Sequence, residues 1–231
     1  MKAARPELVG ADTALRRLVD VVCSTLLLVG LAPLMAVVAL AVRLDSPGPI
    51  LYRALRVGRG GATFQMLKFR SMRPDADQLG PGVSGHEDAR VTRVGHLLRT
   101  TKLDELPQLL NVLRGSMTLV GPRAEAPRYV RYYTAEEHQL VMVRPGLTGP
   151  GQLEFTLRQA AELDGVGDPD RYYVEHQLHD KLALDLHYLH ARRLRHDLEI
   201  VAATSRLVLR ATRLGLSAAL GAAPESPALP R

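Results

Sequence analysis

A long run of apolar residues stands near the start of the chain and dominates its hydrophobic pattern. The 22 residues from Val21 to Val42 carry no charge. As a helix rising about 1.5 Å per residue, this run could just cross a hydrocarbon core of about 30 Å. It is too long for the apolar region of a cleaved signal peptide, so a membrane helix is predicted. Asp20 precedes the run, and we expect it to pair with Arg16 or Arg17 on the same helical face.

The path of this helix through a bilayer has two interpretations. Pro33 lies near the middle, where its ring removes a backbone hydrogen bond and bends a helix. Basic residues flank both ends, and the positive-inside rule then places both ends on the cytoplasmic face. These features describe a helix that enters, breaks near Ala32 and Pro33, and returns. A spanning helix with a tolerated proline kink fits the sequence equally well.

Alternating and helical spacings follow the apolar run. Two extended runs, Ile50 to Arg56 and Ala62 to Phe69, enclose a glycine-rich turn and predict a β-hairpin. Residues 74–89 are rich in Pro, Gly and Asp and predict a loop. The recurrence of apolar residues predicts further helices at 91–98, 104–114, 124–141 and 172–214. The segment SMTLVGP predicts a strand at 116–122.

The sequence thus predicts an α+β fold that is mainly helical. We divide it into an N-terminal membrane-associated segment (1–45), a body carrying the chemistry (46–214) and a disordered tail (215–231), the last because its residues are mostly small residues and proline. The stretch from Lys181 to Arg213 is rich in Leu and Arg, which is typical of amphipathic helices lying on anionic lipid. Burial of these leucines against the body is the competing interpretation, and both can hold on different faces.

Composition narrows the class of partner. Lys and Arg number 30 against 24 Asp and Glu, which favours an anionic partner such as phosphate groups, nucleic acid or an acidic membrane surface, and charge alone does not choose among them. Aromatic residues make up only 4%, with no Trp, which argues against a nucleic-acid partner recognised by base stacking. Cys23 is the single cysteine, so no disulfide or thiolate zinc site is expected.

The most informative stretch is LDELPQ at residues 103–108. Pro107 fits only the first turn of a helix, so we expect a helix to begin near Asp104. Asp104 and Glu105 would then lie where the helix dipole stabilises negative charge and free N–H groups meet phosphate oxygens. One carboxylate could attack phosphorus while the other holds a divalent metal. Capping alone is the simpler explanation for acidic residues at this position.

Basic residues at the ends of several predicted elements favour phosphate chemistry over capping as the explanation for these carboxylates. Each stands beside a turn, where side chains from separate segments can converge. The planar fork of arginine grips phosphate at two points. The candidates for substrate binding are Lys68, Arg70, Arg99, Arg123 and Arg144.

Taken in order, these motifs resemble those of the bacterial sugar transferase family, the monotopic polyprenyl-phosphate phosphoglycosyl transferases. The resemblance extends from Arg16 to about Leu209. The motifs that carry it are RRLVD at 16–20, SPGPILYR at 46–53, LKFRSM at 67–72, LDELPQLLNVLRGSMTLVGPR at 103–123 and RPGLTGPGQ at 144–152.

This resemblance implies a ping-pong reaction on the cytoplasmic face of the bacterial inner membrane. Asp104 matches the nucleophile, which attacks the phosphate next to the sugar of a UDP-sugar and expels UMP. Glu105 matches its partner, and the two carboxylates form the expected Mg²⁺ site. Undecaprenyl phosphate then takes the phosphosugar. The five basic residues match positions suited to binding phosphates or the nucleotide.

The resemblance also implies a re-entrant N-terminal helix broken at Pro33 and a membrane-lipid partner, and it leaves a homodimer open. Two departures stand out: Ala32 occupies a position that is often Ser, and the segment after RPGLTG lacks an arginine often used near the substrate. The second departure leaves the preference for sugar or nucleotide open. The alternative function is a non-catalytic membrane scaffold that recruits acidic partners, in which Asp104 has no special role.

Overall fold

The computed structural model describes residues 13–85, 88–155 and 159–219, with side chains up to residue 212. Its two longest helices are near the ends of the chain, α1 over Ala14–Asp45 and α10 over Leu194–Ala219. The helices between them are α2 (Ala76–Leu79), α3 (Arg93–Thr101), α4 (Gln108–Arg114), α5 (Pro127–Val130), α6 (Pro150–Phe155), α7 (Gln159–Leu163), α8 (Pro169–Tyr172) and α9 (His179–His190). Short 3-10 turns cover Arg59–Gly61, Leu103–Glu105 and Glu137–Met142, and a π-helical turn covers Tyr173–Leu178. The fold is mainly helical, as predicted.

Helix α1 packs on the body along a narrow stripe and leaves most of its apolar surface exposed. In the described ranges it is the one helix long and apolar enough to cross a membrane. Its buried positions are Asp20, Ser24, Val38 and Val42. The exposed apolar side chains include Leu15, Leu18, Leu26, Val29, Val37, Leu40 and Leu44. This uncovered surface supports association with a membrane.

Two expectations for α1 concern Pro33 and Asp20, and the one for Asp20 is wrong. Helical backbone continues from Ala14 to Asp45 with Pro33 inside it, so the proline does not end the helix. Asp20 does not rely on Arg16 or Arg17. It accepts hydrogen bonds from Thr118 Oγ1 at 2.8 Å and from the Leu119 N–H at 2.9 Å. The aspartate is therefore satisfied by a strand of the body.

The predicted hairpin is confirmed. Strands β1 (Leu51–Val57) and β2 (Thr63–Phe69) pair antiparallel, with Tyr52 opposite Lys68 and Arg56 opposite Phe64. Side chains on one strand alternate between faces, and directly paired residues share a face. Arg56 and Lys68 therefore project from the same face of the hairpin.

A second small sheet joins two distant parts of the chain. Strand β3 (Thr118–Val120) lies in the predicted strand SMTLVGP, and it pairs in parallel with β4 (Gly146–Thr148). A Cβ atom on Gly146 would overlap the backbone of Gly121, so the close approach of these segments requires glycine. The sheet brings the start of α6 beside the segment that follows β3.

Two helical predictions need correction. A continuous helix over 124–141 is wrong: α5 covers only Pro127–Val130, and a 3-10 turn follows at Glu137–Met142. Thr134 separates them by forming a reciprocal cap with Glu137, in which each side chain accepts a hydrogen bond from the other residue's N–H. Helix α10 extends to Ala219, past the residue 215 at which we placed the start of the tail, and residues 220–231 lie outside the described ranges.

The core consists of three buried clusters. The largest joins α5, the 3-10 turn after it and α9, and includes Tyr129, Tyr173, Leu182 and Leu189. A second packs Val38 and Val42 of α1 against Phe69 and Leu98. A third holds the hairpin against the segment around Met117. Together these clusters fix α3, α4, β2 and the segment after β3 around one cleft.

Candidate active site

The adjacent carboxylates lie in a sharp turn between α3 and α4. Lys102 ends α3 with a left-handed backbone φ of 60°, the one positive φ among the described non-glycine residues. Such a conformation is uncommon for a residue with a side chain and often marks a functional site. A 3-10 turn carries Asp104 and Glu105, and α4 begins only at Gln108, with Pro107 as its N-cap. The carboxylates therefore precede α4, whereas we expected them in its first turn.

Glu105 is held as a fixed anion. Arg123 donates two hydrogen bonds, Nη1 to Oε2 at 3.0 Å and Nη2 to Oε1 at 2.7 Å. Lys68 Nζ donates to Oε1 at 2.9 Å, and Gln152 Nε2 to Oε2 at 3.2 Å. Burial acts to raise the pKa of Glu105, but Arg123 and Lys68 outweigh it and hold that pKa well below its usual range.

Asp104 has a different environment although it is the next residue. Its Oδ2 lies 3.8 Å from Lys68 Nζ. Its Oδ1 is buried and has no hydrogen-bond partner among the described residues. Burial raises the pKa of Asp104, Lys68 opposes this rise, and the neighbouring charge of Glu105 adds to it. Two adjacent carboxylates in contrasting environments can take separate chemical roles.

These carboxylates face a polar cavity of about 220 Å³. It is lined by three acidic side chains, Asp104, Glu105 and Glu125, and by six basic ones, Arg56, Lys68, Arg99, Lys102, Arg123 and Lys181. A neighbouring cavity of about 610 Å³ shares Arg56, Lys68, Arg99 and Asp104 with it. The excess of positive charge in a cleft favours a ligand that carries several negative charges.

The structure brings together five of the seven residues that the sequence analysis proposed for chemistry or substrate binding. Lys68 and Arg123 contact the carboxylates directly. Arg99 lines the same cavity, and its Nη2 donates to Ser84 Oγ at 2.6 Å. Burial lowers the pKa of Arg99, and the charge of Asp104 partly opposes that effect.

The other two proposed arginines bind backbone. Arg70 donates to the carbonyl oxygens of Pro47 at 2.9 Å, Ser46 at 2.7 Å and Val42 at 3.3 Å, and so caps the end of α1. Arg70 also lines the larger cavity but not the smaller one. Arg144 Nε donates to the Gly115 carbonyl oxygen at 3.0 Å, beside the end of α4, and Arg144 lines neither cavity.

Several residues that line the polar cavity were not predicted as site residues, among them Arg56, Lys102, Gln152 and Lys181. Arg56 could have been found, because the alternation of the predicted hairpin places it on the same face as Lys68. Lys102 stands directly before LDELPQ. Gln152 is the last residue of the motif RPGLTGPGQ. Lys181 has no local signal, since long-range packing alone places it here.

Asp185 anchors the far side of the site. This buried carboxylate accepts hydrogen bonds from the Arg123 N–H at 3.1 Å and from the Gly151 N–H at 2.9 Å. Both segments supply a side chain that bonds Glu105, the first through Arg123 and the second through Gln152. Burial raises the pKa of Asp185 to about 6. One side chain of α9 thus positions two partners of Glu105.

A cationic cleft around one fixed and one available carboxylate is suited to ligands that carry phosphate groups. The family model described as bacterial sugar transferase matches residues 11–211. The chain therefore belongs to the bacterial sugar transferase family, which confirms the resemblance noted from its motifs and the expectation of a transferase.

Three similar proteins have names that describe sugar-phosphate transferases. The chain is 44% identical over 194 residues to the UDP-glucose:undecaprenyl-phosphate glucose-1-phosphate transferase of Caulobacter vibrioides, covering 82% of this chain and 67% of that protein. It is 38% identical over 200 residues to the undecaprenyl-phosphate glucose phosphotransferase of Komagataeibacter xylinus, covering 84% and 35%. It is 35% identical over 198 residues to a UDP-N-acetylgalactosamine-undecaprenyl-phosphate N-acetylgalactosaminephosphotransferase of Aeromonas hydrophila, covering 84% and 44%. The chain thus spans less than half of the last two proteins.

Proposed function

We propose that this protein transfers a sugar 1-phosphate from a UDP-sugar to undecaprenyl phosphate and releases UMP. The reaction would be the first membrane step in the assembly of an exopolysaccharide, capsule or glycoconjugate. One observation carries the proposal. Asp104 Oδ1 is buried and has no partner among the described residues, in a cavity rich in basic groups and beside a carboxylate that is already neutralised.

The two carboxylates support a two-step displacement. In the first step, an oxygen of Asp104 attacks the sugar-linked phosphorus, the bond from that phosphorus to the UMP oxygen breaks, and UMP leaves with the electron pair. The phosphosugar is then esterified to Asp104. In the second step, a phosphate oxygen of undecaprenyl phosphate attacks the same phosphorus. The bond to Asp104 breaks, which yields the lipid diphosphosugar and restores the carboxylate.

The surrounding cations suit the charge that such a reaction must manage. Lys68 lies beside both carboxylates, and Arg99 lies in the same cavity. Arg123 is oriented by its own pairing with Glu105 and by the bond from its N–H to Asp185. Preorganised positive groups stabilise charge on a transferring phosphoryl group without reorganising during the reaction.

The residues fit Mg²⁺ as an ion shared with the substrate. Among the described residues no group of three or more His, Cys, Asp or Glu side chains could hold a metal ion by itself. Mg²⁺ commonly binds one or two carboxylates together with substrate phosphates. Asp104 Oδ1 could supply a ligand, whereas both oxygens of Glu105 already accept hydrogen bonds, so Glu105 would contribute its charge beside the ion. The ion would neutralise the diphosphate of the donor.

The following experiment distinguishes an enzyme that uses Asp104 from a non-catalytic scaffold. Full-length protein in nanodiscs with Mg²⁺, without lipid acceptor, should release one burst of UMP from UDP-glucose or UDP-N-acetylgalactosamine, and label from the sugar should stay on the protein. Asp104→Asn should abolish both signals, because its amide is a poor nucleophile. Asp75→Asn, a change at a half-exposed aspartate that lines neither cavity, is the matched control and should keep them. A folded wild-type protein that releases no UMP would leave the scaffold as the better explanation, whereas a folded Asp104→Asn protein with the normal burst would exclude Asp104 as the nucleophile.

We also propose that α1 is re-entrant and bent at Pro33, with both ends at the cytoplasmic face of the inner membrane. The helix keeps helical backbone through Pro33, and Arg17 and Arg43 near its two ends favour the same side. In a Cys23→Ser background, single cysteines at Arg5 and Arg59 should react with an impermeant thiol reagent only from the cytoplasmic side. Labelling from opposite sides would establish a spanning helix instead.

A further inference from the structure

An apolar groove reaches the candidate active site from the side of α1. Its volume is about 530 Å³, within the range of about 300–1,000 Å³ typical of small-molecule sites. One wall comes from α1 and the other from α10, and the floor comes from β3, β4 and α6. The apolar residues that line it are Val19, Cys23, Leu26, Leu27, Leu106, Leu119, Leu147, Leu153, Leu198, Val201, Leu207 and Val208.

The groove ends at Glu105, the residue next to Asp104. Lys102, Glu105 and Gln152 line both the groove and the polar cavity. At the start of the two walls, Arg16 Nε of α1 pairs with Asp197 Oδ2 of α10 at 2.9 Å. A single ligand could therefore place an apolar chain between the helices and a charged end beside Asp104, on the side away from the larger polar cavity.

Lys102 gives the inner end of the groove its charge preference. Its ammonium forms no ion pair with the described carboxylates, whereas Lys68 and Arg123 are both paired with Glu105. Its left-handed backbone directs the chain from α3 into the turn that carries the carboxylates. An anionic group at this point would meet a cation that is not already neutralised.

The outer part of the groove is suited to hydrocarbon. Leu198 and Val201 of α10 are 63% and 41% exposed, and Leu26 of α1 is 68% exposed. These side chains continue the uncovered apolar surface of α1, which is the surface that supports membrane association. An amphiphile in the bilayer could therefore enter between α1 and α10 without passing through water.

We infer that this groove holds the isoprenoid chain of the acceptor, with the acceptor phosphate at Lys102. This assignment rests on the proposed function and deepens it: donor and acceptor would approach Asp104 from different sides, the donor through the polar cavities and the acceptor through the groove. The chemistry required of the ligand is a long apolar chain with one terminal phosphate.

The experiment compares two exposed apolar positions on α10. Leu198→Asn places an amide in the groove, whereas Leu209→Asn changes a residue of similar exposure, 60%, that does not line it. We expect Leu198→Asn combined with Val201→Asn to raise the KM for undecaprenyl phosphate about tenfold or more, since apolar contact with the chain is lost. The UMP burst without acceptor should be unchanged, and Leu209→Asn should match wild type in both assays.

Chain length provides the second measurement. With farnesyl phosphate as acceptor, the groove variants should show a much smaller KM increase, whereas Lys102→Met should raise the KM for both acceptors. If wild type shows no UMP burst, the proposed function fails. If wild type shows the burst and the groove variants keep the wild-type KM for undecaprenyl phosphate, the groove assignment alone fails. An equal KM increase for both acceptors would also overturn it and would indicate that the groove holds a bilayer lipid.

Discussion

Replacing Lys181 by Met should destabilise the protein through the carboxylate that it leaves behind. Lys181 Nζ donates to Glu125 Oε1 at 2.6 Å and to Tyr173 Oη at 3.1 Å. Both members of the ion pair are buried, with side chains 7% and 8% exposed. Removing one partner of a buried pair typically costs about 3–5 kcal/mol. The hydroxyl of Tyr173 still donates to Glu125 Oε1 at 2.8 Å, so we expect the lower end, about 3 kcal/mol.

This cost should appear as a large shift in melting temperature. For a chain of this size, 1 kcal/mol corresponds to roughly 2–4 °C, so Tm should fall by about 6–12 °C. The measurement is thermal unfolding of the full-length protein in detergent, followed by far-UV circular dichroism at neutral pH. Arg171→Met, which breaks the exposed pair with Glu175 at 2.7 Å, is the matched control and should cost at most about 1 kcal/mol.

A second variant and a pH series test the cause. The double variant Lys181→Met with Glu125→Gln should recover at least half of the loss, because no unpaired charge remains buried. In wild type, burial acts to raise the pKa of Glu125, but Lys181 and Arg56 outweigh it and hold that pKa low. The pair therefore stabilises the fold above the usual Glu pKa and loses this effect as pH falls, so the deficit of Lys181→Met should shrink in acid. A Tm equal to that of Arg171→Met would refute this reasoning.

Three further changes test other parts of the structure. Arg70→Met should lower Tm by several degrees and leave the KM for the UDP-sugar within about twofold, since Arg70 caps α1. A tenfold increase in this KM at unchanged Tm would instead identify Arg70 as a substrate-binding residue. Gly95→Ala should strongly lower the Tm measured by circular dichroism, because its Cβ would overlap the Ser71 carbonyl oxygen. In Gly30→Ala the added Cβ meets nothing within 4 Å, so this variant should be neutral or stabilising. Equal Tm values for the two variants would contradict this. Because the pKa of Asp185 is raised to about 6, protonation favours the folded state, and wild type should lose roughly 3 kcal/mol relative to Asp185→Asn as pH rises from about 3 to 7. Parallel pH profiles of Tm would exclude this titration.

Local patterns in the sequence were sufficient for several features. The apolar run is confirmed as one long helix, because its length and lack of charge are properties of contiguous residues. The hairpin follows from alternation around a glycine-rich turn. The motif LDELPQ located Asp104 and Glu105, and Lys68, Arg99 and Arg123 lie around them in the cavity as predicted.

Only the tertiary structure decided which charged groups meet. Arg70 and Arg56 are both arginines in the hairpin region, yet Arg70 caps α1 while Arg56 lines the cavity. Asp20 bonds β3 rather than the adjacent arginines. The residues in these contacts are about 100 positions apart in the chain or lie in different elements. The periodicity of a single segment therefore cannot predict which residues pair. A residue type and its neighbours in sequence determine what a side chain can bond, but packing of the core clusters determines which partner comes within reach.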